Sequence, residues 1–218
     1  MVEGIKVLCH SSIKFSKGEI IYFDPFKIDN DYNDADIIFI THDHYDHYSE
    51  ADISKVIKDD TIIIAPEDLL TKLLKKGFAK ENIILVEPNE SYKVKNIEFK
   101  TIPAYNIQKQ FHPKANEWVG YIIEIDGITY YIAGDTDITE ENRKVKCDVA
   151  FVPVGGTFTM DYREAAKLIN EIKPKVAVPI HYGSIVGDKE DGFNFSKLVD
   201  TDIEVDNLVN MFENDMKL

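Results

Sequence analysis

Short apolar runs separated by polar turns dominate the first part of the chain, and such runs predict β-strands. Between residues 5 and 23 they are interrupted at Lys17-Gly18, which predicts a hairpin, and Asp24-Pro25 ends this group of strands. A further strand is predicted at residues 37–40. The continuous apolar run at residues 61–65 predicts a strand that is covered on both faces.

Three segments are predicted to form α-helices, the second and third of them from an apolar repeat with helical spacing. The first covers residues 50–58 and begins after Ser49, a suitable N-cap. The second begins at Pro66 and ends before Gly77, residues that favour the start and the end of a helix. The third covers residues 162–173. The first two helices lie between the predicted strands of the first half of the chain, which is therefore predicted to alternate strands with helices.

The middle of the chain predicts closely spaced strands, two of them joined by a hairpin at Asp126-Gly127. Strands at residues 149–154 and 176–180 then flank the third helix, and a helix, a short strand and a polar end are predicted from residue 193. Since no linker or repeat divides the chain, we expect one α/β domain over residues 1–218. The middle strands are predicted at residues 83–86, 92–94, 97–102, 118–125 and 128–132.

Composition and charge narrow the classes of function. The 218 residues are 44% apolar and 29% charged, as in a soluble globular protein. The net charge of −14 argues against nucleic-acid binding, although a bound metal would create a local positive site for an anionic small-molecule substrate. The two cysteines indicate no disulfide framework, and no apolar run approaches the ~20 residues of a membrane span. We therefore expect a cytoplasmic protein without a membrane partner.

Residues 41–47 concentrate potential metal ligands directly after the strand predicted at residues 37–40. They contain three of the six histidines and two aspartates, namely His42, Asp43, His44, Asp46 and His47. Imidazole nitrogen and carboxylate oxygen at this density compete for water unless a cation lies among them, and both are ordinary ligands of divalent metals. The segment predicts a metal site. The alternative is a polar surface loop that happens to be rich in histidine.

Other candidate ligands appear where further predicted strands end. His10 follows the first strand, Asp135 follows the strand at residues 128–132, and His181 follows the strand at residues 176–180. In layered α/β proteins the carboxyl ends of strands converge at one edge, where binding sites assemble. An aspartate after a glycine is by itself more often a turn residue, and a lone histidine is often merely half-buried. Together with the cluster, these strand ends predict one convergent site.

The pattern His42-x-His44-x-Asp46-His47, followed by Asp135 and His181, resembles the metallo-β-lactamase superfamily. The resemblance spans the chain from His10 to His181 and is to the branch of small metal-dependent hydrolases that includes L-ascorbate-6-phosphate lactonase. It implies an α/β fold, namely a four-layer αβ/βα sandwich of two mixed β-sheets flanked by helices. It also implies a site for two divalent metal ions, usually zinc and sometimes manganese or iron.

The resemblance also implies a distribution of ligands. His42 and His44 would hold the first metal, and Asp135 would bridge the two. The second metal would be held by Asp46, His47 and His181. The chain departs from the family at a third histidine for the first metal, because Tyr105 and Asn106 stand where that histidine is expected. Three alternatives stay open: His112 reaches in from the following loop, Asn106 contributes its oxygen, or the first site binds weakly.

The implied activity is hydrolysis of a small ester, lactone or phosphodiester by a metal-bridging hydroxide, which Asp46 would orient. His10 is a candidate for contacting the substrate or supporting a ligand, with a structural role as the alternative. Tyr182 would either donate a proton to the leaving group or simply pack. Two other functions are alternatives. One is a di-iron oxidoreductase of the same fold, which is disfavoured because His44 stands where those enzymes typically have glutamate. The other is a non-catalytic metal-binding protein.

Overall fold

The computed structural model describes residues 1–207, and these fall into two compact units. We call Glu3–Glu87 the N-terminal unit, and Met1–Val2 together with residues 88–207 the C-terminal unit. Each unit is built on one mixed β-sheet. The single domain predicted over residues 1–218 stays a prediction, and its polar C-terminal end at residues 208–218 lies outside the described part.

A six-stranded sheet forms the N-terminal unit, and its strands lie side by side in chain order. The first three strands pair antiparallel, and the remaining three add to them in parallel. The predicted hairpin at Lys17-Gly18 is confirmed, and Gly18 takes the left-handed φ of +78° that the turn requires. The strands are β1 (Ile5–Cys9), β2 (Ser12–Lys17), β3 (Glu19–Phe23), β4 (Ile37–Phe39), β5 (Ile62–Pro66) and β6 (Ile83–Val86).

Two short helices pack their apolar faces on this sheet: α1 (Glu50–Val56), preceded by its N-cap Ser49, and α2 (Leu70–Lys75). The helix predicted to begin at Pro66 begins later, because Pro66 still pairs with Val86 as the last residue of β5. Single 3₁₀ turns cover Glu67–Leu69 and Lys80–Asn82. The core they share contains Tyr22, Ile38, Ile40, Ile53, Val56, Ile63, Leu69 and Leu73.

A seven-stranded sheet forms the C-terminal unit, again with neighbours in chain order. Its first four strands are antiparallel and the last three are parallel. The Asp126-Gly127 hairpin is confirmed, with both residues at the positive φ that this turn demands. The strands are β7 (Ser91–Val94), β8 (Ile97–Pro103), β9 (Val119–Ile125), β10 (Ile128–Ile132), β11 (Val149–Pro153), β12 (Val176–Ile180) and β13 (Glu204–Val205).

Helices of the C-terminal unit pack against the parallel part of its sheet. The longer, α3 (Tyr162–Ile172), begins with the reciprocal capping box of Asp161 and Glu164 and buries its aliphatic face. The shorter, α4 (Asp191–Ser196), contacts α3 and β12. Two 3₁₀ turns cover Lys114–Asn116 and Asn142–Lys144.

The predicted α/β class, with two mixed sheets flanked by helices, is confirmed. The predicted helix at residues 50–58 ends at Val56, because Ile57 leaves the helical region with ψ of 146°. Among residues 1–207, no helix combines the length and the apolar character that crossing a bilayer would take. Each sheet ends in loops that carry the predicted ligands.

Candidate metal centre

The histidine-rich loop of the N-terminal unit leaves β4 at Ile40 and folds back on itself. The backbone amides of His47 and Tyr48 both donate to the carbonyl of His44, which closes a tight turn. His42 and His47 are buried, and their ring centroids lie 4.0 Å apart. The turn also brings the His42 and His44 rings together, with their centroids 4.7 Å apart.

Asp24 is the polar centre of this arrangement. It is fully buried at the end of β3, in a left-handed conformation with φ of +45°. It accepts hydrogen bonds from the Thr41 backbone amide at 2.8 Å, the Thr41 hydroxyl at 2.7 Å and His47 Nδ1 at 2.7 Å. Burial raises the pKa of Asp24, while the His47 and Thr41 contacts oppose this rise. One carboxylate therefore fixes both ends of the loop.

The same hydrogen bonds decide which ring nitrogens carry protons. His47 Nδ1 donates to the Asp24 carboxylate, so His47 Nε2 keeps its lone pair. The Thr41 hydroxyl gives its only hydrogen to Asp24, so it accepts from His42 Nδ1 at 2.9 Å. His42 Nε2 thus also keeps its lone pair, and it lies 3.1 Å from His44 Nδ1. These tautomers follow from the network and are those required of metal ligands.

His10 and Asp46 complete the N-terminal donors. His10 is fully buried in the turn between β1 and β2, in a left-handed conformation with φ of +56°. Its Nε2 lies 3.3 Å from Asp46 Oδ2, and His47 Nε2 lies 3.7 Å from the same oxygen. A left-handed φ is costly for a residue with a Cβ and is concentrated at functional sites. The strained turn holds His10 against Asp46.

In the C-terminal unit, Asp135 lies between two histidines. It follows β10 after Ala133-Gly134, and its Oδ2 is 3.2 Å from His112 Nε2 and 3.1 Å from His181 Nε2. All three side chains are at most 3% exposed. They arrive from three loops, the ones that follow β8, β10 and β12.

Asn106 orients His112. The Asn106 amide nitrogen donates to the Phe158 carbonyl at 2.9 Å, which turns its oxygen towards His112. That oxygen accepts from the His112 backbone amide at 3.0 Å and from His112 Nδ1 at 3.1 Å. The lone pair of His112 is therefore at Nε2 and faces the Asp135 carboxylate. Asn106 was one of three open alternatives for the third ligand of the first metal, and in the structure its oxygen accepts from His112.

Close backbone packing holds His181 and Tyr182. His181 has a φ of +58°, and a Cβ at Gly155 would lie only 2.2 Å from the His181 carbonyl. Only glycine can follow Val154 at this point. The Tyr182 ring packs on Gly192 of α4, and burial raises its pKa to about 12. The role of Tyr182 as a proton donor stays a prediction.

The geometry of the donors fits a metal ion. Two ligands on one tetrahedral ion, each at ~2.0–2.1 Å, lie about 3.3 Å apart. The separations of His42 from His44 and of Asp135 from both its histidines are 3.1–3.2 Å. His112 Nε2 and the Asp135 carboxylate are both acceptors, so a cation or a proton must lie between them. Sequence reasoning did not single out Thr41, whose only signal was its position directly before His42.

Comparison with known proteins gives concordant findings. The model of the β-lactamase superfamily domain matches residues 4–181. A UPF0173 metal-dependent hydrolase of Pyrococcus horikoshii is 31% identical over 216 residues, covering 92% of this chain and 94% of the relative. One of Saccharolobus solfataricus is 34% identical over 181 residues, covering 80% and 78%.

A solved structure is similar over nearly the same length. The protein of Parabacteroides distasonis, assigned provisionally as a metal-dependent hydrolase, is 34% identical and superposes with a TM-score of 0.80. The match covers 93% of this chain and 90% of that one. The predicted family resemblance is thereby confirmed, and the predicted metal-dependent hydrolase class is supported by the names of the relatives.

Proposed function

This chain belongs to the β-lactamase superfamily, and from that premise we propose that it is a hydrolase that uses two divalent metal ions, most suitably Zn²⁺, with Mn²⁺ or iron as alternatives. The first ion would be held by His42, His44 and His112. Asp46, His47 and His181 would hold the second. Asp135 would bridge the two. The substrate would be a small ester, lactone or phosphodiester.

The observation that carries this proposal is the orientation of the imidazoles. His42, His47 and His112 each use Nδ1 on Thr41, Asp24 or Asn106, and each keeps the Nε2 lone pair for a ligand. Nδ1 contacts of this kind are those that orient ligand histidines towards a metal. The Asn106 contact also favours His112 as the third ligand of the first ion over the two alternatives.

Bound divalent metals supply a water of lowered pKa and polarise the bond to be broken. The protein's own contribution is to place that chemistry. Asp46 offers a carboxylate oxygen within 3.7 Å of His47 Nε2 and would orient the attacking water. His10, buried against the same oxygen, would position Asp46 and stabilise its charge. Asp24 would keep His47 basic and aligned.

The first test is metal content together with hydrolysis. Protein purified without added metal should retain close to two ions per chain and should hydrolyse 4-nitrophenyl esters or bis(4-nitrophenyl) phosphate, with activity lost in Asp46→Asn. A colourless preparation is expected, whereas a visible iron spectrum that responds to reductant would favour the oxidoreductase. Failure to retain metal at neutral pH, with no activity after Zn²⁺ or Mn²⁺ is added, would reject the proposal.

Trp118 fluorescence offers a direct test of whether His112 binds metal. It is the only tryptophan of the chain, and its ring centroid lies 5.7 Å from that of His112. Co²⁺ bound at His112 should quench Trp118 fluorescence. In Asn106→Leu, where the imidazole is no longer oriented, the Co²⁺ concentration needed should rise about 10–100-fold. Asn116→Leu, in the 3₁₀ turn before Trp118, is the matched control and should leave quenching unchanged.

A further inference from the structure

Phe111, which is exposed, and Phe158, which is half-buried, form an aromatic pair in the C-terminal unit. Their ring centroids lie 4.6 Å apart with the planes at 81°, the edge-to-face arrangement that stabilises such pairs. Phe111 is 47% exposed, so the pair presents apolar surface to solvent. The exposed Phe111 ring, held in place by Phe158, offers an apolar contact surface.

The pair is attached directly to a candidate metal ligand. Phe111 immediately precedes His112 in the chain. The Phe158 carbonyl accepts from Asn106, and the Asn106 oxygen accepts from His112 Nδ1. Two successive hydrogen bonds therefore link the backbone of Phe158 to the imidazole whose Nε2 faces Asp135. Phe111 is thus one residue from this ligand in the chain, and Phe158 is linked to the Nδ1 side of its imidazole.

The loops that carry the two aromatic residues are fixed to each other. The Asp137 amide donates to the Tyr105 carbonyl at 3.0 Å, and the Met160 amide donates to the Thr136 carbonyl at 3.1 Å. Asp137 also accepts from the Ile107 amide at 2.9 Å. The loops after β8, β10 and β11 are thereby joined, so the pair is preorganised rather than a flexible surface feature.

The charges around the pair do not favour an anion. Two lysines, Lys109 and Lys114, lie in the segment that carries Phe111. Lys109 is bound to the buried Asp137 at 2.6 Å, and Lys114 is bound to Glu141 at 2.8 Å. Both lysines are thus already paired with carboxylates, so neither is available to an anionic group in contact with Phe111.

From these observations we infer that Phe111 and Phe158 form a specificity subsite for a neutral hydrocarbon or aromatic group of the substrate, next to His112. The inference deepens the proposed function and rests on it for the reaction. It narrows the substrate class to esters or lactones with an apolar substituent.

Binding of alkyl hydroxamates tests the subsite without turnover, because the head group binds metal and only the hydrocarbon length changes. Trp118 fluorescence reports binding. Octanohydroxamate should bind wild-type protein about 10–100-fold more tightly than acetohydroxamate. This ratio should fall below about 3 in Phe111→Ser and be restored in Phe111→Leu, because the leucine returns the apolar contact.

The matched control is Phe193→Ser, which removes a phenylalanine on α4 that is 54% exposed. Phe193→Ser should leave the ratio unchanged. An equal ratio in wild type and Phe111→Ser would overturn the subsite. So would a shift of oligomeric state in Phe111→Ser by size-exclusion chromatography with the ratio unaltered, since the pair would then be a contact between copies of the chain.

A second probe separates this inference from the proposed function. If neither hydroxamate binds, the metal proposal is in error, and the neutral dye N-phenyl-1-naphthylamine then tests the aromatic pair alone. Dye fluorescence that rises on wild type and Phe193→Ser, and not on Phe111→Ser or Phe158→Ser, would support the subsite. Equal dye fluorescence in all four proteins would reject it.

Discussion

In the N-terminal unit, His42, His44, Asp46 and His47 lie within six consecutive positions of one loop, whereas His112, Asp135 and His181 of the C-terminal unit come from three loops. The two sets reach similar donor separations by different means. In the first, a tight turn fixes the spacing and one buried carboxylate fixes the rings. In the C-terminal unit no short segment sets the spacing of the ligands. Close backbone packing and hydrogen bonds between loops set it there.

The two sets of ligands should respond differently to substitution. The N-terminal set depends on Asp24, whose single carboxylate accepts hydrogen bonds from both Thr41 and His47. The C-terminal set depends on several contacts, each with a smaller share, including the approach of Gly155 to His181 and the hydrogen bonds of Asn106. We therefore expect one large effect from a substitution in the first region and graded effects in the second.

The largest effect is expected from Asp24→Ala. It leaves the Thr41 amide and hydroxyl and His47 Nδ1 without their buried acceptor, so the free energy of unfolding should fall by about 3–5 kcal/mol. Metal retention should fall with it. Urea unfolding and metal analysis measure the two effects.

Two variants accompany this test. Asp24→Asn keeps an acceptor and tolerates the left-handed backbone, so its loss should be smaller. Asp36→Ala removes another carboxylate of the same sheet, one that binds the Ile20 amide and Lys58. It should lower stability without changing metal content. Equal metal retention in Asp24→Ala and wild type would contradict the central role of Asp24.

An intermediate effect is expected from Gly155→Ala. The new Cβ would lie 2.2 Å from the His181 carbonyl and 3.1 Å from Val186 Cγ2, so the backbone carrying His181 must shift. Overpacking of this kind costs about 1–3 kcal/mol. Metal analysis should find one ion lost or weakly held. Gly156→Ala is the control, because its Cβ would meet Asp161 only at 3.4 Å, and its cost of about 1–2 kcal/mol is confined to the positive φ. Full metal content in both variants would argue against a role for this packing.

The smallest effect is expected from Glu141→Gln, at the network beside the His112 loop. The hydrogen bond from Lys114 lowers the pKa of Glu141 from 4.5 to about 2, with a further hydrogen bond from Tyr105. Because the folded-state pKa is depressed, the stabilisation is present above pH 4.5 and is lost as the pH falls towards 2.

At pH 7 the wild type should therefore be more stable than Glu141→Gln by less than about 1 kcal/mol, since the pair is partly exposed. Urea unfolding at pH 7, 4 and 2.5 should show this gap closing as the carboxylate is protonated. A gap that stays constant over this range would mean that the ion pair does not contribute.

The sequence by itself determined the features that depend on neighbours within a few residues. The hairpins at Gly18 and Asp126-Gly127, the capping of α3 and the spacing of His42 to His47 are of this kind, because local sterics and periodicity specify them. The same reasoning misplaced the start of α2, where strand pairing of Pro66 with Val86 overrides the local preference for a helix.

Only the tertiary structure decided the contacts between distant segments. His112 is 6 positions from Asn106 but 23 from Asp135, and Gly155 is 26 from His181. Whether such residues meet depends on strand order and on how loops close, and local patterns encode neither. The sequence left the third ligand of the first metal open for this reason. The structure directs the Nε2 of His112 towards Asp135 and places Asn106 behind that imidazole.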